Sequence, residues 1–463
     1  MSKNDIILRN PKQGALVKAT QQSQTFLTLL QQSDEQRLIE LLKTIDFRSA
    51  IGLISSLEHI EWTVEFIERF EERWNWWWLS GNKALPWSMD FIERFEERWY
   101  WWRLYENEPL PWSMDFIERF EERWDWDSLS SNEALPWSIE LIERFEDHWN
   151  WSSGLSNLSS NKALPWSIEL IERFEERWGW WALSRNKALP WSMELIERFG
   201  TRWSSLLDNE GLPWSVELIE HFEEHWDWEL LSSNEGLPWS MELMERFEDF
   251  WHFEMLSWNK SLPWSMELIE RFEEHWDWGG LSHNKDLPWS MEFFERFEDS
   301  WDWRWLSGNE GLPWSMELIE RFEDSWDWRW LSGNKGLPWS MEFFERFEDF
   351  WDFKRLSWSK SLPWSMELIE RFEDSWEWRG LSSNEALPWS MELIECFEDN
   401  WNWLELSRNE GLPWSIDLLD KFKHKWEWGE LKYYNEKAQQ IFTVLSVQGI
   451  EEVMDYYIKN ENS

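Results

Sequence analysis

The string Leu-Pro-Trp-Ser occurs fourteen times between Pro86 and Pro413, and the interval is 25 residues at every step except 29 before Pro165 and 23 before Pro213. A degenerate first copy begins at Glu61-Trp62, which brings the count to about fifteen units. A period this short constrains the fold more than any other feature. One unit carries one apolar stripe and cannot cover it, so burial must come from the neighbouring copy.

The copy from Pro313 to Leu337 represents the rest. Ser315 is placed to cap a helix, because its hydroxyl can accept from a backbone N–H of the first turn. Leu318, Ile319, Phe322 and Trp326 then share one helical face, which predicts a helix from Met316 to Trp326. Glu317 stands four residues before Arg321, in the favourable order for an ion pair along that helix. Asp327 can cap a second, shorter helix running through Leu331. Asn334, among neighbouring glycines, reads as a turn residue suited to positive φ, and Pro338 restricts entry to the next unit. The expected fold is all-α: an elongated α-solenoid of helix-turn-helix repeats. A leucine-rich horseshoe is the alternative, suggested by Leu331-Ser332-Gly333-Asn334, but Arg329 sits where its strand needs an apolar residue.

Residues 1–60 and 431–463 lack the motif and read as helical caps flanking the repeats of 61–430. In the first cap the apolar positions are Phe26, Leu29, Leu30, Leu38, Leu41, Leu42, Ile45, Ile51 and Ile54, and in the last a helix pair is expected from Ala438 to Tyr457. The repeat is irregular across 150–210. Trp151 to Ser160 carries the long interval, and Gly200 to Asn209 loses the Trp-Asp-Trp element along with two residues. Uniform units rotate uniformly, so a bend is expected here. Residues 211–310 also align without gaps to 311–410, as if four units had been copied together.

The 91 acidic and 45 basic side chains give a formal charge of −46. That balance disfavours nucleic acid and anionic membranes, which are bound through Lys and Arg. The 50 Trp and 29 Phe argue against disorder, since each buried ring removes roughly 150–250 Å² from water. Cys396 is the single cysteine, so no internal disulfide forms. With no apolar leader at the N-terminus, a cytoplasmic protein is expected.

Leu-Pro-Trp-Ser, Glu-Leu-Ile-Glu-Arg-Phe, Trp-Asp-Trp and Leu-Ser-x-Asn together resemble tandem Trp-rich short helical repeats of bacterial and large-virus proteins, over residues 61–428. The resemblance implies no activity. More broadly, short-unit α-solenoids serve mainly in protein binding.

Trp314, Trp326 and Trp328 recur in nearly every unit and are expected in a core ladder. Trp77, Trp102, Trp181, Trp305 and Trp330 recur irregularly, and Trp258 and Trp358 fall in the loop. Of these, Trp305, Trp330, Trp258 and Trp358 are taken as candidates for partner contact. Glu320, Glu323 and Asp324 form the matching acidic stripe. His221-Phe222-Glu223-Glu224-His225 lacks the Glu that a zincin needs after its first His, and Cys396 has no evident base. No catalytic, cofactor or metal residue is assigned. The expected function is a non-enzymatic protein-interaction scaffold for a basic or extended protein partner, without nucleic acid or membrane. Self-assembly into a structural array and acidic mimicry of nucleic acid are the alternatives.

Overall fold

The computed structural model describes residues 33–154, 157–203, 206–209 and 211–461. Phe26, Leu29 and Leu30 of the first cap lie outside them, as do Ser204 and Ser205. All regular structure among the described residues is helical, with no strand, which removes the horseshoe alternative. The helices recur in pairs with the sequence period, as in Met316–Arg321 followed by Trp328–Leu331.

Two expected caps are present. The Leu318 amide donates to Ser315 Oγ at 3.1 Å, and the Trp330 amide to Asp327 Oδ1 at 3.1 Å. The first helix is shorter than its periodicity predicts. It ends at Arg321, with Phe322 at φ −122°, ψ 29°, and a turn leads to Trp326. Trp326 nevertheless reaches the core, because its indole folds back and donates to the Ile319 carbonyl at 3.2 Å. The spacing thus reported which side chains are buried, although the backbone between them is not helical throughout.

Helices of this length are not stable alone, and their last carbonyls lack intrahelical donors. Indole N–H groups supply several of the missing bonds. Besides Trp326, Trp328 donates to the Glu323 carbonyl at 3.3 Å, and Trp314 to the Asn309 carbonyl at 2.9 Å. Phenylalanine could fill the same space but could not make these bonds. Packing also runs between units: the Trp303 ring lies 5.1 Å from Phe322 and 4.9 Å from Trp326 of the next unit.

Two buried polar residues bind each unit to its neighbours. Asn334, 2% exposed, donates through Nδ2 to the carbonyls of Ser307 (3.0 Å) and Asn309 (3.2 Å) in the preceding unit. Its Oδ1 accepts from the Gly336 amide at 2.8 Å. Ser332, fully buried, donates to the Trp328 carbonyl at 2.7 Å and accepts from the Asp352 amide of the following unit at 2.8 Å. The turn role expected for the asparagine is therefore corrected. Its equivalent Asn309 is extended, at φ −80°, ψ 112°, and positive φ among the described residues belongs only to Gly154 and Gly200. The residue is selected for its amide, which both donates and accepts, rather than for backbone tolerance. The expected Glu317–Arg321 pair is replaced as well: Arg321 reaches Glu295 and Glu298 of the preceding unit.

The chain forms two compact units, residues 101–387 and residues 1–100 with 388–463. In the second of these, the segments expected as caps pack on each other. A helix over residues 33–44 and Phe47–Ser55 meets Trp428–Tyr434 and Val447–Glu461. Buried Lys432 donates to the Gly52 carbonyl and lies 3.1 Å from the centroid of the Trp78 ring. Tyr457 Oη donates to the carbonyls of Leu42 (2.6 Å) and Ile45 (2.8 Å). Lys43 Nζ bridges Glu40 (2.8 Å) and Glu452 (2.7 Å), and Arg69 pairs with Glu451 at 2.5 Å.

Within residues 101–387, the insertion keeps both asparagine bonds to the preceding unit and the deletion keeps one per asparagine. At the insertion, Asn161 reaches the Ser130 carbonyl at 3.0 Å, and Ser159 Oγ accepts from Gly179 at 2.9 Å. The short turn Leu158–Ser160 stands where other units have their second helix, and Gly154, at φ +67°, lies in the added loop. At the deletion, Asn209 reaches the Ser184 carbonyl at 2.9 Å, and Asn234 the Leu207 carbonyl at 2.6 Å.

Asn334→Ala is expected to destabilise by about 2–3 kcal/mol, because it leaves buried carbonyls without donors. At Ser359 the asparagine is absent, and Ser359 Oγ accepts only the near amide, from Ser361 at 3.3 Å. Ser359→Asn should therefore stabilise by about 1 kcal/mol. Denaturant melts of the two variants check both signs.

A pH dependence follows from Tyr457, whose phenol is pushed up to about 12 by burial and by the neighbouring Asp46 charge. A free phenol titrates near pH 10, so the folded state holds this proton more tightly. The stabilisation is complete below pH ~10 and is lost as pH rises through 12. Tyr457→Phe should lose stability at neutral pH and show a smaller further loss between pH 10 and 12 than the parent chain.

Candidate functional site

The sequence singled out two features for partner contact, irregular tryptophans and an acidic stripe. Both lie on residues 101–387 and have different geometries.

Three of the four tryptophans join one row. The Trp258 ring is 5.7 Å from Trp305, and Trp305 is 6.0 Å from Trp330. His283 fills the corner, 5.1 Å from both Trp258 and Trp305. Arg355 closes the row, its guanidinium 4.8 Å from the Trp330 centroid. Trp258 is 40% exposed and Trp305 and Trp330 are half-buried, so the row presents ring surface without standing clear of the protein. Burial, together with the charges of Lys285 and Lys260, holds the His283 imidazole below its ordinary range. The row is thus uncharged at His283 near neutral pH and flanked by cations.

Small residues in adjacent units give these rings their seats. A Cβ on Gly280 would lie 2.8 Å from Trp258 Nε1, and one on Gly308 would lie 3.2 Å from the Trp330 ring. Trp358, 49% exposed, is seated in the same way over Gly380 and makes no ring contact among the described residues. Sequence reasoning missed His283 and Arg355. The signal was the register: His283 occupies the position of Trp258 one unit on, and Arg355 the position of Trp305 and Trp330.

The acidic stripe divides by position. Glu320 is bound to Arg346 of the next unit at 3.1 Å, and the same pairing recurs as Glu295 with Arg321 and Glu345 with Arg371. At the Glu323 position, Glu348 joins Arg371 at 2.7 Å and Glu248 joins Arg271 at 3.2 Å. Carboxylates of these two kinds largely tie one unit to the next. The Asp324 position differs. Asp249, Glu274, Asp299, Asp324, Asp349 and Asp374 are exposed and carry no ion pair among the described residues. Where an arginine stands immediately before the Trp-x-Trp element, as at Arg177, the corresponding acid of the preceding unit is taken up: Asp147 lies 2.8 Å from Arg177.

Other flagged residues have structural surroundings. His221 Nε2 lies 3.0 Å from Glu197, and Cys396 is an exposed thiol. No helix of the described residues is long and apolar enough to cross a membrane.

Trp326, 5% exposed, should lose about 3–5 kcal/mol on replacement by Ala. Trp330→Ala should lose only about 1 kcal/mol, the worth of its edge contacts and cation–π pair. Chemical denaturation of the two variants separates core tryptophan from surface tryptophan. No family model, curated protein or solved structure matches this chain.

Proposed function

We propose that the chain is an α-solenoid of about fifteen units that acts as a non-enzymatic, cytoplasmic scaffold for a basic, extended protein partner. The observation that carries this reading is the column of exposed carboxylates at Asp249, Glu274, Asp299, Asp324, Asp349 and Asp374, one per unit and without ion pairs among the described residues. Neighbouring members belong to packed units, and helices in contact lie ~8–10 Å apart. That spacing is close to the screening length of physiological salt, so a cationic segment lying along the column interacts with several charges at once. Within the acidic stripe, the carboxylates at the Glu320 and Glu323 positions largely serve cohesion between units, which leaves the Asp324 column open to a partner; the exposed Glu317 position of the same units adds further carboxylates without ion pairs among the described residues. The aromatic row of Trp258, Trp305 and Trp330 supplies apolar contact on the same repeats.

A Lys/Arg-rich extended peptide tests the proposal. Its binding should weaken by roughly tenfold or more between low and high salt, as expected for exposed charge pairs. Replacing Asp249, Asp299, Asp324, Asp349 and Asp374 together with Asn should weaken low-salt binding similarly while leaving the helical content intact. Salt-independent binding, or full binding by the neutralised variant, would falsify the acidic column as the contact surface.

A further inference from the structure

In regular units the second Trp of the Trp-x-Trp element inserts between its own repeat and the next. Trp228 shows the environment: its ring lies 5.2 Å from Phe247, 4.9 Å from Phe250 and 5.0 Å from Trp251, all in the following unit. Trp126 meets Phe145, His148 and Trp149 in the same way, at 5.1, 4.7 and 4.9 Å. In the shortened unit after Pro190, the sequence aligns Ser205, which lies outside the described residues, with this tryptophan. The three residues that would receive the missing indole are Phe222, His225 and Trp226.

All three line a cavity of about 560 Å³. Its opposite wall comes from the shortened unit, through Ile196, Trp203, Leu206 and Leu207. The burial of the rings records the same vacancy. Trp326 and Trp251 are 5% exposed, whereas Trp203 and Trp226, at the equivalent position, are only half-buried. Trp226 has ring contacts with Trp214 and Phe222 of its own unit, and among the described residues it has no ring contact with a tryptophan of the preceding unit. The walls are held in place: Trp203 Nε1 donates to the Ile196 carbonyl at 3.2 Å, and Trp226 Nε1 to the Ile219 carbonyl at 3.0 Å.

Polar groups at the cavity define the ligand further. In regular units the inserted indole N–H donates to the carbonyl five residues earlier, as Trp403 does to Glu398 at 3.2 Å. The residue five before Ser205 is Gly200, which lines the cavity; its carbonyl accepts from the Trp203 amide at 3.4 Å and keeps a second lone pair for a ligand N–H. Two carboxylate residues, Glu197 and Asp227, also line it, and no Lys or Arg does. Aromatic rings, an N–H acceptor and negative charge together favour a planar N–H heteroaromatic and disfavour an anion. An apolar cavity left by a missing side chain binds a molecule of that side chain's shape when its walls do not collapse.

We propose that this cavity is a binding site for a small planar heteroaromatic molecule of the indole class, neutral or cationic. The repeat supplies the template, since other units fill the same space with tryptophan or, at Phe253 and Phe353, phenylalanine. Calorimetry of the full chain with indole, tryptamine and indole-3-acetate provides the test. Indole and tryptamine should bind with Kd of roughly 100 µM or tighter, the range reached by efficient ligands of this size, and indole-3-acetate at least tenfold more weakly. Ser205→Trp supplies the ligand group in cis and should abolish binding while raising the melting temperature. Phe222→Leu, which keeps volume but removes the aromatic wall, should weaken indole binding about tenfold if ring stacking holds the ligand. No binding by the parent chain up to 1 mM (roughly the upper limit for a specific site of this size), or binding unchanged in both variants, overturns the proposal.

Discussion

The fold depends on one buried amide per unit. Asn334 uses both Nδ2 hydrogens and its Oδ1 at once, reaching two carbonyls of the preceding unit and one amide of its own. The serine two residues earlier continues the connection in the other direction. These groups are removed from water, so each missing bond would cost more than a typical hydrogen bond contributes. Where the asparagine is present, the requirement fixes the register of a unit on the one before it. Apolar packing alone would tolerate a slide of one side chain past another, whereas a pair of carbonyls at fixed positions does not.

With register fixed, tryptophan serves both packing and hydrogen bonding. Helices of four to six residues leave most of their carbonyls open at the C-terminal end. Indole N–H groups of Trp326 and Trp328 satisfy two carbonyls of the unit, and that of Trp314 one of the preceding unit, while the rings fill the space between repeats. This accounts for a tryptophan content far above that of ordinary domains. The Glu–Arg pairs on the outside repeat the same pattern in charge, each Arg reaching back to the preceding unit. They are exposed and individually weak, and they leave the Asp324 column, like the exposed Glu317 position of the same units, without ion pairs among the described residues.

The irregular units separate what the repeat must keep from what it can lose. At Leu158–Ser160 a loop replaces the second helix, yet Asn161 and Ser159 still make the inter-unit bonds. At residues 200–209 each asparagine keeps one carbonyl of the preceding unit, while the bridging serine is replaced by Leu207 and the inserted tryptophan is lost. The asparagine bridge is therefore kept, in full or in part, through both changes while aromatic filling is not, and that difference accompanies the cavity beside Phe222 and Trp226.

Much of this was determined by the sequence itself. The period, the helix caps at Ser315 and Asp327, the all-helical class and the core role of Trp326 follow from local chemistry and from spacing, which act within one unit; Trp314 and Trp328, expected in the same core ladder, are half-buried. The tertiary structure decided whatever depends on the neighbouring unit. Asn334 became a buried bridge in place of a turn residue, Arg321 took its partner from the preceding unit and not from Glu317, and the helix stopped at Arg321 although Phe322 and Trp326 kept its spacing. Tertiary packing also brought His283 and Arg355 into the tryptophan row and joined the two terminal segments, since their partners lie at least a full period, and in one case almost the whole chain, away. Spacing along a chain shows which residues can share a face. Which groups satisfy a buried donor or charge is settled only where a second segment arrives.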